Sequence, residues 1–242
     1  MRKIALLAAA VLAGVVFSSA STQATVMFFD DFNSGASAAW GNERGNWRAD
    51  GGIYDATNPN NTPTTYTSVT TLPSLTDFVV DVDVNGVNDG GVWLRSSFSS
   101  GTINGVLLVT GGFSGVNNGL YWHTVVNNGF SGILSNGLVP GLQGSNVHLR
   151  VVVSGDTYSA YVNDALITTL TTSLFSSGHV GLYDFSPITK SSTPRGQTFD
   201  NFQLSVAQVS VPEPGALALL ALGLAGLRLR RARGCGGRGP GR

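Results

Sequence analysis

The sequence predicts an all-β protein: two packed antiparallel sheets, flanked by a targeting segment at each end. Three observations predict it. Apolar and polar residues alternate over short stretches, no stretch from Thr25 to Val211 keeps apolar residues at helical spacing beyond two turns, and Gly- and Asn-rich punctuation separates the alternating stretches.

The N-terminal element is an export signal. Met1 to Ala24 has a basic start in Arg2 and Lys3, an apolar run from Ile4 to Phe17, and a small-residue stretch that suits cleavage before Thr25, with cleavage after Ala20 as the competing site. The apolar run is short for a membrane span, which needs about 20 residues, so removal is expected rather than anchoring.

The strands follow. In Asp77 to Val84, Phe78, Val80, Val82 and Val84 face one side while Asp77, Asp81 and Asp83 face the other, the pattern of a half-buried strand. Val147, Leu149, Val151 and Val153 alternate with His148 and Arg150. A Ser154-Gly155-Asp156 turn leads to a return strand with Tyr158, Ala160 and Val162, and Asn163-Asp164 begins the next turn. Further strands are predicted at Met27 to Phe32, Trp47 to Tyr54, Val92 to Ser97, Val106 to Thr110, Leu120 to Val126, His179 to Phe185 and Phe199 to Val206. About a dozen one-sided strands close as two sheets or as a barrel, and the length suits a two-sheet antiparallel jelly-roll sandwich. No solenoid or propeller repeat is visible.

The formal net charge is zero, yet Thr25 to Val211 holds thirteen acidic residues against six basic ones, a net −7. That excess argues against a nucleic-acid partner, because such binding is dominated by cationic contacts to phosphate. The single cysteine, Cys235, lies near the C-terminus, so the exported domain has no disulfide and no cysteine-based zinc pattern. His123, His148 and His179 are scattered without ligand-like spacing.

The C-terminal element reads Val211-Pro212-Glu213-Pro214-Gly215, then an apolar run to Leu227, then Arg228, Arg230, Arg231 and Arg233. An apolar helix closed by arginines acts as a stop-transfer element and leaves the preceding domain outside the cytoplasm. From Ala216 to Leu227 it would be about 18 Å long, short of the roughly 30 Å hydrocarbon core, which suits a transient anchor in the inner membrane. This order of motif, short helix and arginine-rich end resembles the PEP-CTERM sorting signal. The resemblance implies an exosortase-type membrane enzyme as partner, processing near Pro212, Glu213 and Pro214, and a place at the cell surface or in the extracellular matrix. It also implies a setting of exopolysaccharide or biofilm. The domain organisation expected is a signal peptide at 1–24, a β-sandwich at 25–207 and a sorting tail at 208–242, with the membrane helix at 215–227.

A second resemblance rests on Phe29-Asp30-Asp31-Phe32-Asn33, Asp89-Gly90-Gly91-Val92-Trp93-Leu94-Arg95, Gly155-Asp156 through Tyr161-Val162-Asn163, Gly178-His179-Val180-Gly181-Leu182-Tyr183 and Phe199-Asp200-Asn201-Phe202. In this order, from about Phe28 to Val206, they look like the concanavalin A-like, laminin-G-like jelly rolls, closest to the branch grouped with 3-keto-disaccharide hydrolase domains. The resemblance implies two curved sheets with adjacent first and last strands, and carbohydrate binding on the concave face.

Glycosidases need two carboxylates about 5 to 9 Å apart across the scissile bond. The domain offers one glutamate, Glu43, beside Arg44, and the Glu-x-Asp-x-x-Glu strand of concanavalin A-like glycosidases is missing. Asp81 and Asp83 share a strand face roughly 7 Å apart, a geometrically possible pair whose plainer role is a solvated or cation-binding face. Sugar binding needs aromatic rings beside polar groups. Trp93 and Arg95 are expected on the polar face of one strand, and Tyr121, Trp122 and His123 on a neighbouring one; core packing is their other reading. Asp30, Asp31, Asp200 and Asn201 would supply hard oxygen ligands to Ca²⁺ if the first and last strands meet, or serve as turn residues. Asp89-Gly90-Gly91 is expected to be a turn.

The reading preferred is an exported, non-catalytic carbohydrate-binding protein. The alternative is a glycoside hydrolase of the 3-keto-disaccharide hydrolase kind, and a purely structural role stands third.

Overall fold

The computed structural model describes residues 24–61, 64–111, 119–185 and 196–207. The export segment and the sorting tail, with its expected membrane helix, lie outside them.

Fifteen strands form among the described residues. In chain order they begin with β1 (Ala24–Asp30), β2 (Trp47–Ala49), β3 (Tyr54–Ala56), β4 (Thr67–Ser68) and β5 (Phe78–Asn85). Next come β6 (Gly90–Ser99), β7 (Thr102–Thr110), β8 (Gly119–Val126), β9 (Gly129–Phe130) and β10 (Asn136–Leu138). The chain closes with β11 (Val147–Ser154), β12 (Thr157–Val162), β13 (Ala165–Thr171), β14 (His179–Asp184) and β15 (Thr198–Ala207).

These strands build two antiparallel sheets. The first runs β13-β12-β11-β5-β15-β3-β2, with β1 also paired to β15; the second runs β10-β8-β7-β6-β14-β4, with β9 paired to β8. The predicted meeting of first and last strands is present, with Ala24 opposite Ala207 and Asp30 opposite Phe202.

Alternation decides what lies between the sheets. Phe78, Val80, Val82 and Val84 of β5, with Val147, Leu149, Val151 and Val153 of β11, face Val92, Leu94, Val106, Leu108, Leu120, Trp122, Val180 and Leu182 of the second sheet in one core. Burial of each such side chain is worth about 1.5–3 kcal/mol, and in a chain whose one cysteine lies in the tail this core holds the fold. An aromatic group extends it toward β1, where Phe32 stacks on Tyr54 at 4.8 Å and Trp40 meets Phe202 edge-on at 4.9 Å.

Several elements depart from expectation, the short β4, β9 and β10 among them. The stretch from Trp47 to Tyr54 is a hairpin, because Gly51 and Gly52 take positive φ and reverse the chain between β2 and β3. β13 was not predicted: it is threonine-rich and half exposed, so its alternation is weak. Asp89-Gly90-Gly91 is no isolated turn, since β6 starts at Gly90 and Gly91 pairs with both Val109 and Tyr183.

Candidate functional site

The outward face of the second sheet is unusual in being apolar. Cross-strand register sets Tyr183, Gly91, Val109 and Tyr121 in one row, and Trp93, Leu107 and His123 in the next. Tyr183, Val109, Tyr121, Trp93 and Leu107, with Tyr66, Ile103 and Val125, make a second apolar cluster, separate from the core between the sheets. Gly91 contributes no side chain to its row.

Above this face lies a cavity of about 270 Å³ lined by Asn61, Asp89, Val109, Tyr121, His123, Phe130, Ile133 and Tyr183. The rings of Tyr121 and Phe130 each stand edge-on to His123 with centroids 5.4 Å apart. His123 Nδ1 lies 2.8 Å from the carbonyl oxygen of Ser131. A carbonyl only accepts, so Nδ1 is the donor in this bond. The Tyr183 hydroxyl lies 3.4 Å from Asp89 Oδ1 and 3.5 Å from Asn61 Oδ1.

Asp89 is the acidic group of this cavity. Burial raises its pKa to about 7; the bond from Tyr183 opposes that shift and the negative charge of Asp184 adds to it. Burial likewise pushes the hydroxyls of Tyr121 and Tyr183 well above the usual phenol range. Asp184 is buried with its backbone N–H donated to Thr65 Oγ1 and its carboxylate accepting from the Ala56 N–H.

The structure brings together two of the five predicted sugar-contacting residues, Tyr121 and His123. Trp93 shares their face but is fully buried, donating from Nε1 to the Thr65 carbonyl and packing against Tyr66 and Tyr183. Trp122 points the other way, into the core, edge-on to Tyr158. Arg95 does not share the face of Trp93. A bulge between Leu94 and Ser97 places Arg95 at φ 44°, where its side chain is 3% exposed and its guanidinium stands over the Tyr158 ring. Its N–H groups go to the carbonyls of Thr76, Phe175 and Gly155, and Asp77 lies 3.6 Å away. Arg95 is thus a strut between loops.

Asp81 and Asp83 lie outward on the first sheet, away from the cavity. His148 bridges them, Arg150 approaches Asp81 at 3.5 Å, and Asn201 Nδ2 donates to Asp83 Oδ2 at 2.9 Å. Asp200 stands beside Asp83 on β15, and burial followed by the charges of Asp83 and Asp31 raises its pKa. Asp30 is a turn anchor, accepting N–H groups from Phe32, Ser37 and the Trp40 indole. Asp31 is exposed and accepts from the Asn33 N–H. No group of three His, Cys, Asp or Glu side chains converges as metal ligands among the described residues.

Sequence reasoning missed Asn61, Asp89, Phe130, Ile133 and Tyr183 as cavity residues. Tyr183 shared the alternation of β14 and was recoverable from it; Asn61 and Ile133 come from irregular segments with no local signature.

Residues 210–233 match the PEP-CTERM protein-sorting motif. The motif directs export and surface or membrane-associated sorting by an exosortase-type system. No curated protein matches the chain in sequence. Among solved structures, the kappa-carrageenase of Zobellia galactanivorans is 12% identical, with 79% of this chain and 98% of that chain covered and a TM-score of 0.51. A structure titled for the endo-acting O-glycanases that human gut microbiota express to initiate mucin breakdown is also 12% identical, covering 76% and 91% with a TM-score of 0.51. The carbohydrate-binding module CBM66 of Bacillus subtilis is 19% identical, covering 70% and 92% with a TM-score of 0.48. The two antiparallel sheets are therefore a jelly-roll sandwich, a fold shared with that kappa-carrageenase and with the structure titled for O-glycanases.

Proposed function

We propose that this exported, surface-sorted protein binds polysaccharide in the cavity above its second sheet and does not cleave it. One observation carries the reading: a cavity with aromatic walls in Tyr121, Phe130 and Tyr183 also presents the Asp89 carboxyl, the Asn61 amide and the His123 imidazole. Rings cover the apolar face of a pyranose and the polar groups take its hydroxyls. Pockets for drug-sized ligands run to roughly 300–1,000 Å³, so a volume of about 270 Å³ suits a single sugar residue of a longer chain.

Glycoside hydrolysis needs a second carboxylate across the bond. Asp89 is the one carboxylate among the described residues lining the cavity, and Asp81 and Asp83 lie on the other sheet. That supports binding without turnover. The fold itself does not decide the matter, because sites rather than folds carry function.

One feature favours the hydrolase reading: a carboxyl with a pKa of about 7 is suited to donate a proton at neutral pH. A glycan array probed with the full chain, followed by an assay for product release from each retained glycan, separates the two. Retention without release, weakened about tenfold or more by Tyr121→Ala, is expected. Release that Asp89→Asn abolishes would establish the hydrolase instead.

A further inference from the structure

The cavity's donors and walls say which sugar it prefers, an inference that rests on the sugar-binding reading above. Asp89 is the acidic group of the described lining, and the rest are rings, apolar side chains, one amide and one imidazole. A carboxylate set among aromatic faces is the chemistry that recognises an organic ammonium, through a charge-assisted hydrogen bond on one side and cation–π attraction on the others. Asp184, buried behind Tyr183, adds negative potential rather than neutralising it. At larger range, the net −7 of Thr25 to Val211 concentrates cations near the surface and repels anions.

We propose that the cavity selects a sugar bearing a free amine, a glucosamine-type residue, over N-acetylated, neutral and acidic sugars, with Asp89 as the specificity-determining group. Burial raises the Asp89 pKa to about 7 because it penalises the bare carboxylate, and a paired ammonium offsets that penalty. An acetyl cap removes the charge and adds bulk to a small cavity, while a uronic acid brings a like charge toward Asp89 and Asp184.

Quaternary ammonium groups such as choline share the cation chemistry, so the test includes both sources. Titration calorimetry at pH 7 with the full chain would compare a β-linked glucosamine oligomer, its N-acetylated counterpart, a glucose oligomer, a glucuronate-containing oligomer and choline. The wild-type protein is expected to bind the glucosamine oligomer about tenfold or more tighter than the acetylated one. Asp89→Asn is expected to bring that ratio near one while acetylated and neutral oligomers still bind. Equal affinity of wild-type protein for amine and acetyl forms would overturn the amine selection and leave the sugar reading standing. Binding of choline with no oligosaccharide retained would overturn both, as would binding of nothing. The wild-type ratio decides without any variant, so a misfolded Asp89→Asn protein does not blunt the test.

Discussion

The imidazole of His148 and the carboxylate of Asp83 face each other across the β5–β11 pair, Nδ1 to Oδ1 at 2.8 Å, while the same ring reaches Asp81 Oδ1 with Nε2 at 3.2 Å. Both ring nitrogens meet carboxylates, which is the arrangement of a protonated imidazole. Arg150, Asn201 and Asp200 complete the surroundings.

Partial burial works against a proton on His148, but the bonds and charges of Asp83 and Asp81 outweigh it and raise the pKa. A raised histidine stabilises the fold fully below its ordinary value near 6.5, and that stability is lost as pH rises through the folded-state value. His148→Ala is therefore expected to lower the melting temperature by a few degrees at pH 6 and by less at pH 9. Equal losses at both pH values, measured by calorimetry, would assign His148 a packing role alone.

Asp89 shifts stability with pH in the same direction, over a lower range. Its folded-state pKa of about 7 exceeds the ordinary 3.8, so the folded state holds the proton more tightly. Stability is then highest below about pH 4 and falls as pH rises to about 7, beyond which it is flat. Tyr183, Asp184, Tyr121 and His123 are the titratable groups around it. Asp89→Asn is expected to raise the melting temperature at pH 8 and leave it nearly unchanged at pH 3.5, with each kcal/mol worth about 2–4 °C in a domain of this size. A variant less stable than wild type at pH 8 would contradict the burial argument.

Arg95 ties three loop carbonyls together from a bulge at positive φ. Lysine offers a point charge where a planar fork is needed. Arg95→Lys is expected to cost about 3 kcal/mol in urea unfolding, through lost charge-assisted bonds and unsatisfied carbonyls. A loss under about 1 kcal/mol would show that solvent reaches those carbonyls.

Chelation tests the calcium expectation at the β1–β15 end. Because the Asp30 carboxylate is occupied by three N–H donors, excess chelator is expected to leave the melting temperature unchanged. A fall of several degrees, restored by calcium, would place an ion with Asp31, Asp200 and Asn201 after all.

What was legible in the sequence follows from which faces are buried on one side only. β5, β11 and β12 alternate between core and solvent, so their register could be read from Phe78, Leu149 and Tyr158 outward. The second sheet resisted this reading because both its faces are apolar: Trp93 and Trp122 look alike in sequence, yet one lies under Thr65 and Tyr66 and the other in the core. Arg95 was misplaced because a bulge breaks the period of two, which no count of alternation detects. Asp89 resembled a turn residue until β14 brought Tyr183 beside it from ninety-four positions away.

The pairing of Ala24 with Ala207 has a mechanical consequence. The described domain ends at Ala207 of β15, which pairs with β1 over Phe202 to Ala207 on one side and with β5 on the other. A pull applied at Ala207 would therefore meet two rows of inter-strand hydrogen bonds rather than one.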